Sequence, residues 1–229
     1  MTQNRTEVDS RIILAVDAGS PIVSVALARD GEILGESQSP GRRASEDLIQ
    51  MIDSLLAEAD SRVSDLGGVL ALRGPGSFTG LRVGLATCLG LHQALGIPAT
   101  TLTTFETLAS LAPENIRVVI AAVESIRESW LIQRFRSDVV PVPLAEPRSV
   151  STEELVAERA DLFIGFGLRE ITDPERPEFR AQILGPPPLA GCALRLQASK
   201  HSAEWSPAGL VQPLYLQAPA AKPSAVRPQ

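Results

Sequence analysis

The sequence predicts an α/β protein of two lobes in which the second repeats the first in shortened form. Apolar runs at residues 12–16 and 22–28, joined by the turn Asp17-Ala18-Gly19-Ser20-Pro21, open the chain as a strand pair. Asp30-Gly31 then folds it back into a third extended run at residues 32–36, because Asp-Gly between extended runs is a strong hairpin signal. From Arg117 a similar alternation of strands and helices starts again.

After the hairpin, Leu48, Ile52, Leu55, Leu56 and Ala59 recur at helical spacing, which predicts a helix over residues 44–60 with Ser45 as N-cap. Residues 69–72 form a short strand. A glycine-rich loop at 74–80 opens a second long helix, N-capped by Thr79 and stopped after Leu95 by Gly96-Ile97-Pro98. Residues 99–102 are strand-like, and Thr104 caps a helix to Ala112. The first unit therefore reads βββαβαβα.

In the second unit, strands are expected at 118–123, 130–136 and 139–144, the last confined to an edge by Pro141 and Pro143. Ser151-Thr152-Glu153-Glu154 is a capping box that starts a helix to about Ala160, and residues 162–164 are a short strand. Pro186-Pro187-Pro188 introduces a helix over 189–200. A βββαβαβα unit followed by a shortened second copy is the signature of the actin-like superfold (ASKHA, ribonuclease H-like) that includes hexokinase and Hsp70. The expected domains are lobe one at 11–112 and lobe two at 113–216, between a disordered lead at 1–10 and a disordered Ala- and Pro-rich tail at 217–229.

The 229 residues are 44% hydrophobic and 21% charged, ordinary for a folded domain, and the core must be aliphatic because the chain has six Phe, two Trp and one Tyr. A net charge of −6 gives no general attraction for nucleic-acid phosphates, so any nucleic-acid role would need a local basic patch or a basic partner. Cys88 and Cys192 sit far apart in apolar surroundings, as buried small hydrophobes do, and do not suggest a disulfide framework. Glu7 and Asp9 precede the first apolar run, so no signal peptide is read, and no apolar stretch reaches the roughly 20 residues that span a bilayer. The expected location is the cytoplasm, with no membrane partner.

Three places are candidates for chemistry. Asp17, Gly19 and Ser20 occupy the turn that serves nucleotide-binding members of the superfold as a phosphate loop, where Asp orients a metal or water and Gly admits phosphate to backbone N–H groups. The same residues also make an ordinary hairpin turn in which Asp caps its own backbone. The matching turn of lobe two reads Ala121-Ala122-Val123-Glu124-Ser125-Ile126, without a glycine, and Gly165-Phe166-Gly167 reads better as a strand exit than as an adenosine loop. The loop 74–82, GPGSFTGLR, is not a Walker A motif because Gly80 is followed by Leu81-Arg82. It feeds a helix N-terminus that favours an anion, or it is a purely structural turn.

Small residues at 80, 84 and 88, and again at 86, 90 and 94, let a neighbour approach that helix closely, either the lobe's own sheet or another chain. Metal sites fail on count: Cys88 and His92 share a helix face, but His201 is the only other histidine and zinc takes at least three protein ligands. No catalytic residue, metal ligand or required cofactor is expected.

GPGSFTGLR, with Gly84, Ala86-Thr87 and Gly90-Leu91 behind it and ILAVDAGSPIVSVAL at 13–27, resembles the TsaB/YeaZ family over about the first 110 residues. Lobe two matches loosely, by strand order and by the ending Pro213-Leu214-Tyr215-Leu216, and it departs from the family by carrying Glu124-Ser125-Ile126-Arg127 where an Asp-Ala-Arg turn is expected. The resemblance implies a non-catalytic scaffold subunit of bacterial tRNA threonylcarbamoyladenosine formation. Such a subunit pairs with a TsaD-like catalytic protein through the first two helices of lobe one, placing Leu48, Ile52, Leu55, Gly84, Leu85 and Cys88 at the interface. It further implies a TsaE-type ATPase in the larger complex and contact with tRNA only through that complex, and leaves a homodimer or a monomer open for the chain when alone. The competing expectations are a nucleotide-dependent enzyme working at Asp17 and, behind it, a metallopeptidase.

Overall fold

A computed structural model describes residues 11–40, 44–125, 129–168, 187–200 and 205–216. The expected disordered ends at 1–10 and 217–229, the side chain of Ser45, Ile126 and His201 lie outside the described residues.

Strands β1 (Ile12–Asp17), β2 (Ile22–Arg29) and β3 (Glu32–Pro40) form an antiparallel meander. Asp30 and Gly31 make its tight turn with φ of 54° and 82°, the two positive values that a type I′ hairpin requires. Helix α1 (Ala44–Glu58) leads to β4 (Leu66–Leu72), α2 (Phe78–Leu95) leads to β5 (Ala99–Leu102), and α3 (Thr104–Ala109) closes the unit. The sheet runs β3-β2-β1-β4-β5, with β4 parallel to β1 and β5 parallel to β4. Every residue of β4 is buried, as a parallel strand covered on both faces must be.

The second sheet repeats this plan. β6 (Val118–Glu124) pairs antiparallel with β7 (Ser129–Arg136), and β10 (Leu162–Phe166) lies parallel to β6 as β4 lies parallel to β1. The expected third strand is corrected: it is broken into β8 (Val142–Pro143) and β9 (Arg148–Ser151), which line up one after the other on β7. Proline has no N–H to give a ladder, and Pro141, Pro143 and Pro147 fall in this stretch. Helix α4 (Thr152–Ala157) begins at the expected capping box of Ser151 and Glu154 but ends about three residues early. The fold is thus two actin-like lobes with a shortened second copy.

The last helix, α5 (Leu189–Ser199), follows lobe two in sequence yet packs on β1, β2, β3 and β4 of lobe one. Ala190 N–H donates to the buried Ser24 Oγ at 3.1 Å, and ion pairs Arg195–Glu36 at 3.5 Å and Lys200–Glu106 at 3.1 Å hold its outer side. Burial raises the Glu106 carboxyl, but Lys200 and hydrogen bonds from Thr103 outweigh it and bring the pKa below the ordinary value. A 3-10 turn, Pro207–Val211, then covers β5. Residues 189–200 and 207–211, expected in lobe two, accordingly pack on elements of lobe one.

Three clusters hold these layers. Ala15, Leu70, Phe105, Phe135, Ile164, Leu189 and Leu194 fill the space between the two sheets with α3 and α5. Val16, Val25, Leu48, Leu55, Leu85 and Cys88 pack α1 and α2 on the other face of the first sheet. Trp130, Leu155 and Phe163 join α4 to the second sheet.

Candidate functional site

The loop GPGSFTGLR leaves the carboxyl end of β4 and lies across the turn after β1. Ser77 N–H donates to the Gly19 carbonyl at 2.7 Å, and Thr104 N–H donates to the Gly74 carbonyl at 2.8 Å. Two glycines have identifiable causes: a Cβ at Gly76 would collide with the Gly19 carbonyl, and one at Gly80 with the Ala18 carbonyl. A Cβ at Gly84 would meet the Ala18 Cβ at 3.1 Å and Val16 Cγ1 at 3.5 Å. The inner stripe of α2 therefore meets the chain's own β1 and its turn, which decides between the two neighbours the sequence left open.

The caps differ from expectation by one or two residues. Ser77, not Thr79, caps α2, accepting from Gly80 N–H at 3.3 Å. Thr103, not Thr104, caps α3 in a capping box with Glu106, and α3 stops at Ala109. With Ser77 as cap, Phe78 becomes the first helical residue.

The Asp17 turn is closed. Asp17 is fully buried, Ala18 and Ser20 nearly so, and Asp17 Oδ1 accepts the backbone N–H groups of Gly19 at 3.1 Å and Ser20 at 3.2 Å. Those amides would have to face a phosphate, and they face the turn's own carboxylate instead. Burial pushes the Asp17 carboxyl up to about 6, against the pull of its hydrogen bonds with Ser20 and Gly19. Its Oδ2 has no hydrogen-bond partner among the described residues. In lobe two, Gly165 sits within β10 against the Ala122 carbonyl, and Gly167 takes φ +87° beside Glu124. Gly165 serves a close approach of backbone to β6, whereas Gly167 supplies a left-handed turn under the Glu124 and Trp130 side chains. A nucleotide phosphate does not fit these turns.

Cys88 and His92 part company although they are one turn apart. Cys88 is buried, with burial pushing its thiol up to about 12. His92 Nδ1 lies 2.6 Å from the Ile97 carbonyl, so that nitrogen is the donor and the ring ties down the helix end. Among the described residues no three His, Cys, Asp or Glu side chains gather as a metal would need.

The six residues expected at a partner interface, Leu48, Ile52, Leu55, Gly84, Leu85 and Cys88, are all buried within lobe one, so the free chain offers no partner those side chains. What the same helices present to solvent is different: Ile49 (62% exposed), Asp53 and Ala57 on α1, and Arg82, Ala86, Gly90, Gln93 and Ala94 on α2. Among the described residues, a Cβ at Gly90 would meet nothing within 4 Å.

Sequence reading missed that the C-terminal segment completes this end of α2. Leu214 N–H donates to the Arg73 carbonyl at 2.7 Å, and the Tyr215 ring lies 5.0 Å from that of Phe78. Arg82 stacks over Phe78 with Cζ 3.7 Å from the ring centroid, and its Nε donates to Tyr215 Oη at 3.3 Å. The available signal was that Tyr215 is the chain's single tyrosine, set in Pro213-Leu214-Tyr215-Leu216.

The TsaD family, tRNA N6-adenosine threonylcarbamoyltransferase, matches residues 9–122. The tRNA threonylcarbamoyladenosine biosynthesis protein TsaB of Escherichia coli is 30% identical over 115 residues, 49% of this chain and 50% of that one. An uncharacterized protein of Mycobacterium tuberculosis (strain H37Rv) is 31% identical over 220 residues, 93% of this chain and 95% of that one. Among solved structures, YeaZ from Pseudomonas aeruginosa superposes with a TM-score of 0.67 at 25% identity, over 81% of this chain and 90% of that one. The chain belongs to the TsaB/YeaZ family. The chain spans about half the length of the E. coli TsaB it matches, and the TsaD-family match at residues 9–122 takes in the glycine loop, α1 and α2. No helix among the described residues is long and apolar enough to cross a membrane.

Proposed function

We propose that this TsaB/YeaZ protein is a non-catalytic subunit that docks a TsaD-like catalytic protein in tRNA threonylcarbamoyladenosine formation, using the outer faces of α1 and α2. The observation that carries the reading is Gly90. Mid-helix glycine costs about 1 kcal/mol relative to alanine. The inner glycines of α2 have close neighbours to justify that cost, and Gly90 has open space among the described residues. With the exposed Ala86 and Ala94 it forms a smooth strip on which another helix can lie close, and α1 exposes Ile49. The buried residues Leu48, Ile52, Leu55, Gly84, Leu85 and Cys88 then support the docking helices from beneath.

Two histidines in the whole chain, one of them tying down a helix end, argue for a partner that supplies the chemistry. A TsaE-type ATPase and tRNA join through the assembled complex, in the cytoplasm. The test is to mix the purified chain with the TsaD-type protein of its own organism and follow the mass by light scattering. A heterodimer is expected, with no threonylcarbamoyl transfer to tRNA by this chain alone. Efficient transfer by the single chain would overturn the reading.

The competing enzyme reading draws on the unpartnered Asp17 Oδ2. It predicts micromolar binding of ATP with magnesium in a calorimetric titration, whereas a turn whose amides are already engaged predicts no measurable heat.

A further inference from the structure

The outer strip of α2 has a built end. Phe78, Arg82, Ala86 and Gly90 succeed one another at four-residue spacing, so they rise along one side of the helix. At the first turn Arg82 is fixed from two directions: its guanidinium lies on the Phe78 ring, and its Nε is engaged by the Tyr215 hydroxyl. Tyr215 is itself held on the loop through the bond from Leu214 to Arg73 and remains 37% exposed. Arg82 is exposed, and its two terminal Nη groups complete a planar fork beyond the engaged Nε. No acidic residue occupies the first turn of α2, and no ion pair among the described residues involves Arg82. In a chain of net charge −6, this is a positioned cation without a counter-charge of its own, at a helix end that already favours an anion.

Resting on the docking reading above, we infer that Arg82, seated between Phe78 and Tyr215, receives a carboxylate of the protein partner and fixes the register of that partner along the α2 strip. Guanidinium and carboxylate match as a two-bond fork, and a guanidinium held on a ring loses little further freedom when it pairs. The C-terminal segment is thereby part of the docking face, although it stands more than a hundred residues from the helices in sequence.

The test titrates the TsaD-type protein of the same organism against the wild-type chain, Arg82→Gln, Tyr215→Phe and, as control for the face itself, Gly90→Leu, with a thermal melt of each. Arg82 and Tyr215 are exposed, so their variants should melt like the wild type. Arg82→Gln should weaken association by about ten- to a hundredfold, as loss of a charge-assisted pair does. It should also flatten the fall of affinity with rising salt, which a merely structural role would leave unchanged. Tyr215→Phe, which keeps the ring and loses the hydroxyl on Nε, should weaken it less. If Gly90→Leu disrupts binding while Arg82→Gln matches the wild type in affinity and salt dependence, the inference is overturned and the docking reading stands. If Arg82→Gln leaves the protein pair intact and reduces tRNA binding by the complex, the group is a phosphate contact and the inference is equally overturned. If Gly90→Leu binds normally, the docking reading itself fails and takes the inference with it.

Discussion

Helix α2 carries small residues on two sides for two different reasons. Inward, Gly80 and Gly84 sit over Val16, Ala18 and Gly19, where a Cβ would meet backbone or core, and Cys88 lies buried against the Leu70 carbonyl of β4. Outward, Ala86, Gly90 and Ala94 are exposed, and among the described residues a Cβ at Gly90 would meet nothing within 4 Å. The inner set is explained by the fold. The outer set is not, and in a helix otherwise rich in leucine an unexplained glycine is the sign of an absent neighbour. Residue type alone does not separate these causes; what lies opposite does.

The largest effect is expected at the most crowded inner position. Gly80→Val should fail to give a folded protein, since its Cβ would overlap the Ala18 carbonyl and lift α2 from the β1 turn. Gly84→Leu should destabilise by at least 1–3 kcal/mol, the usual result of overpacking. Circular dichroism melts of both would read this, and a wild-type melting temperature for either would erase the distinction between the two sides.

Next in size is the group beneath that side. The folded-state pKa of Asp17 is raised, so the native chain holds its proton more tightly than the unfolded chain does. The associated stability is fully present below the unfolded pKa near 3.8 and is lost as pH rises to about 6, beyond which the penalty is constant. The span corresponds to roughly 3 kcal/mol. Denaturant titrations from acid to neutral pH should show that fall for the wild type and not for Asp17→Asn. Parallel curves would mean the carboxyl is not buried as described. The smallest test is chemical: with its thiol pushed up to about 12, Cys88 should resist alkylation in the native protein and react once the chain is unfolded, as read by mass spectrometry of the labelled peptide.

Much of this arrangement was legible in the sequence because its causes are local. Asp30-Gly31 specified its turn, and the alternation of apolar runs specified β1 to β5 and the two long helices. Ser77 and Thr103 were missed as caps in favour of neighbouring threonines, although Thr103-x-x-Glu106 carries the capping-box pattern. β9 was missed because Arg148–Ser151 has a single buried residue, Val150, so no alternation marks it. The return of α5 to lobe one and the seat of Tyr215 on Phe78 depend on contacts more than a hundred residues apart, which no window of sequence displays. The resemblance placed Leu48, Ile52, Leu55, Gly84, Leu85 and Cys88 at a partner interface by naming two helices, and a helix named without its face does not say which of its residues are buried in its own lobe.

The comparison of the two sides of α2 comes down to Gly90→Leu. Leucine is the better helix former, so the free chain should melt at the wild-type temperature or slightly above it. On the docking face the new side chain should hold the partner helix away and weaken binding of the TsaD-type protein by about tenfold or more. A single preparation, melted and then titrated calorimetrically, gives both numbers. Intact folding with weakened association is the predicted result; intact folding with unchanged affinity would contradict the account and place the partner elsewhere on the molecule.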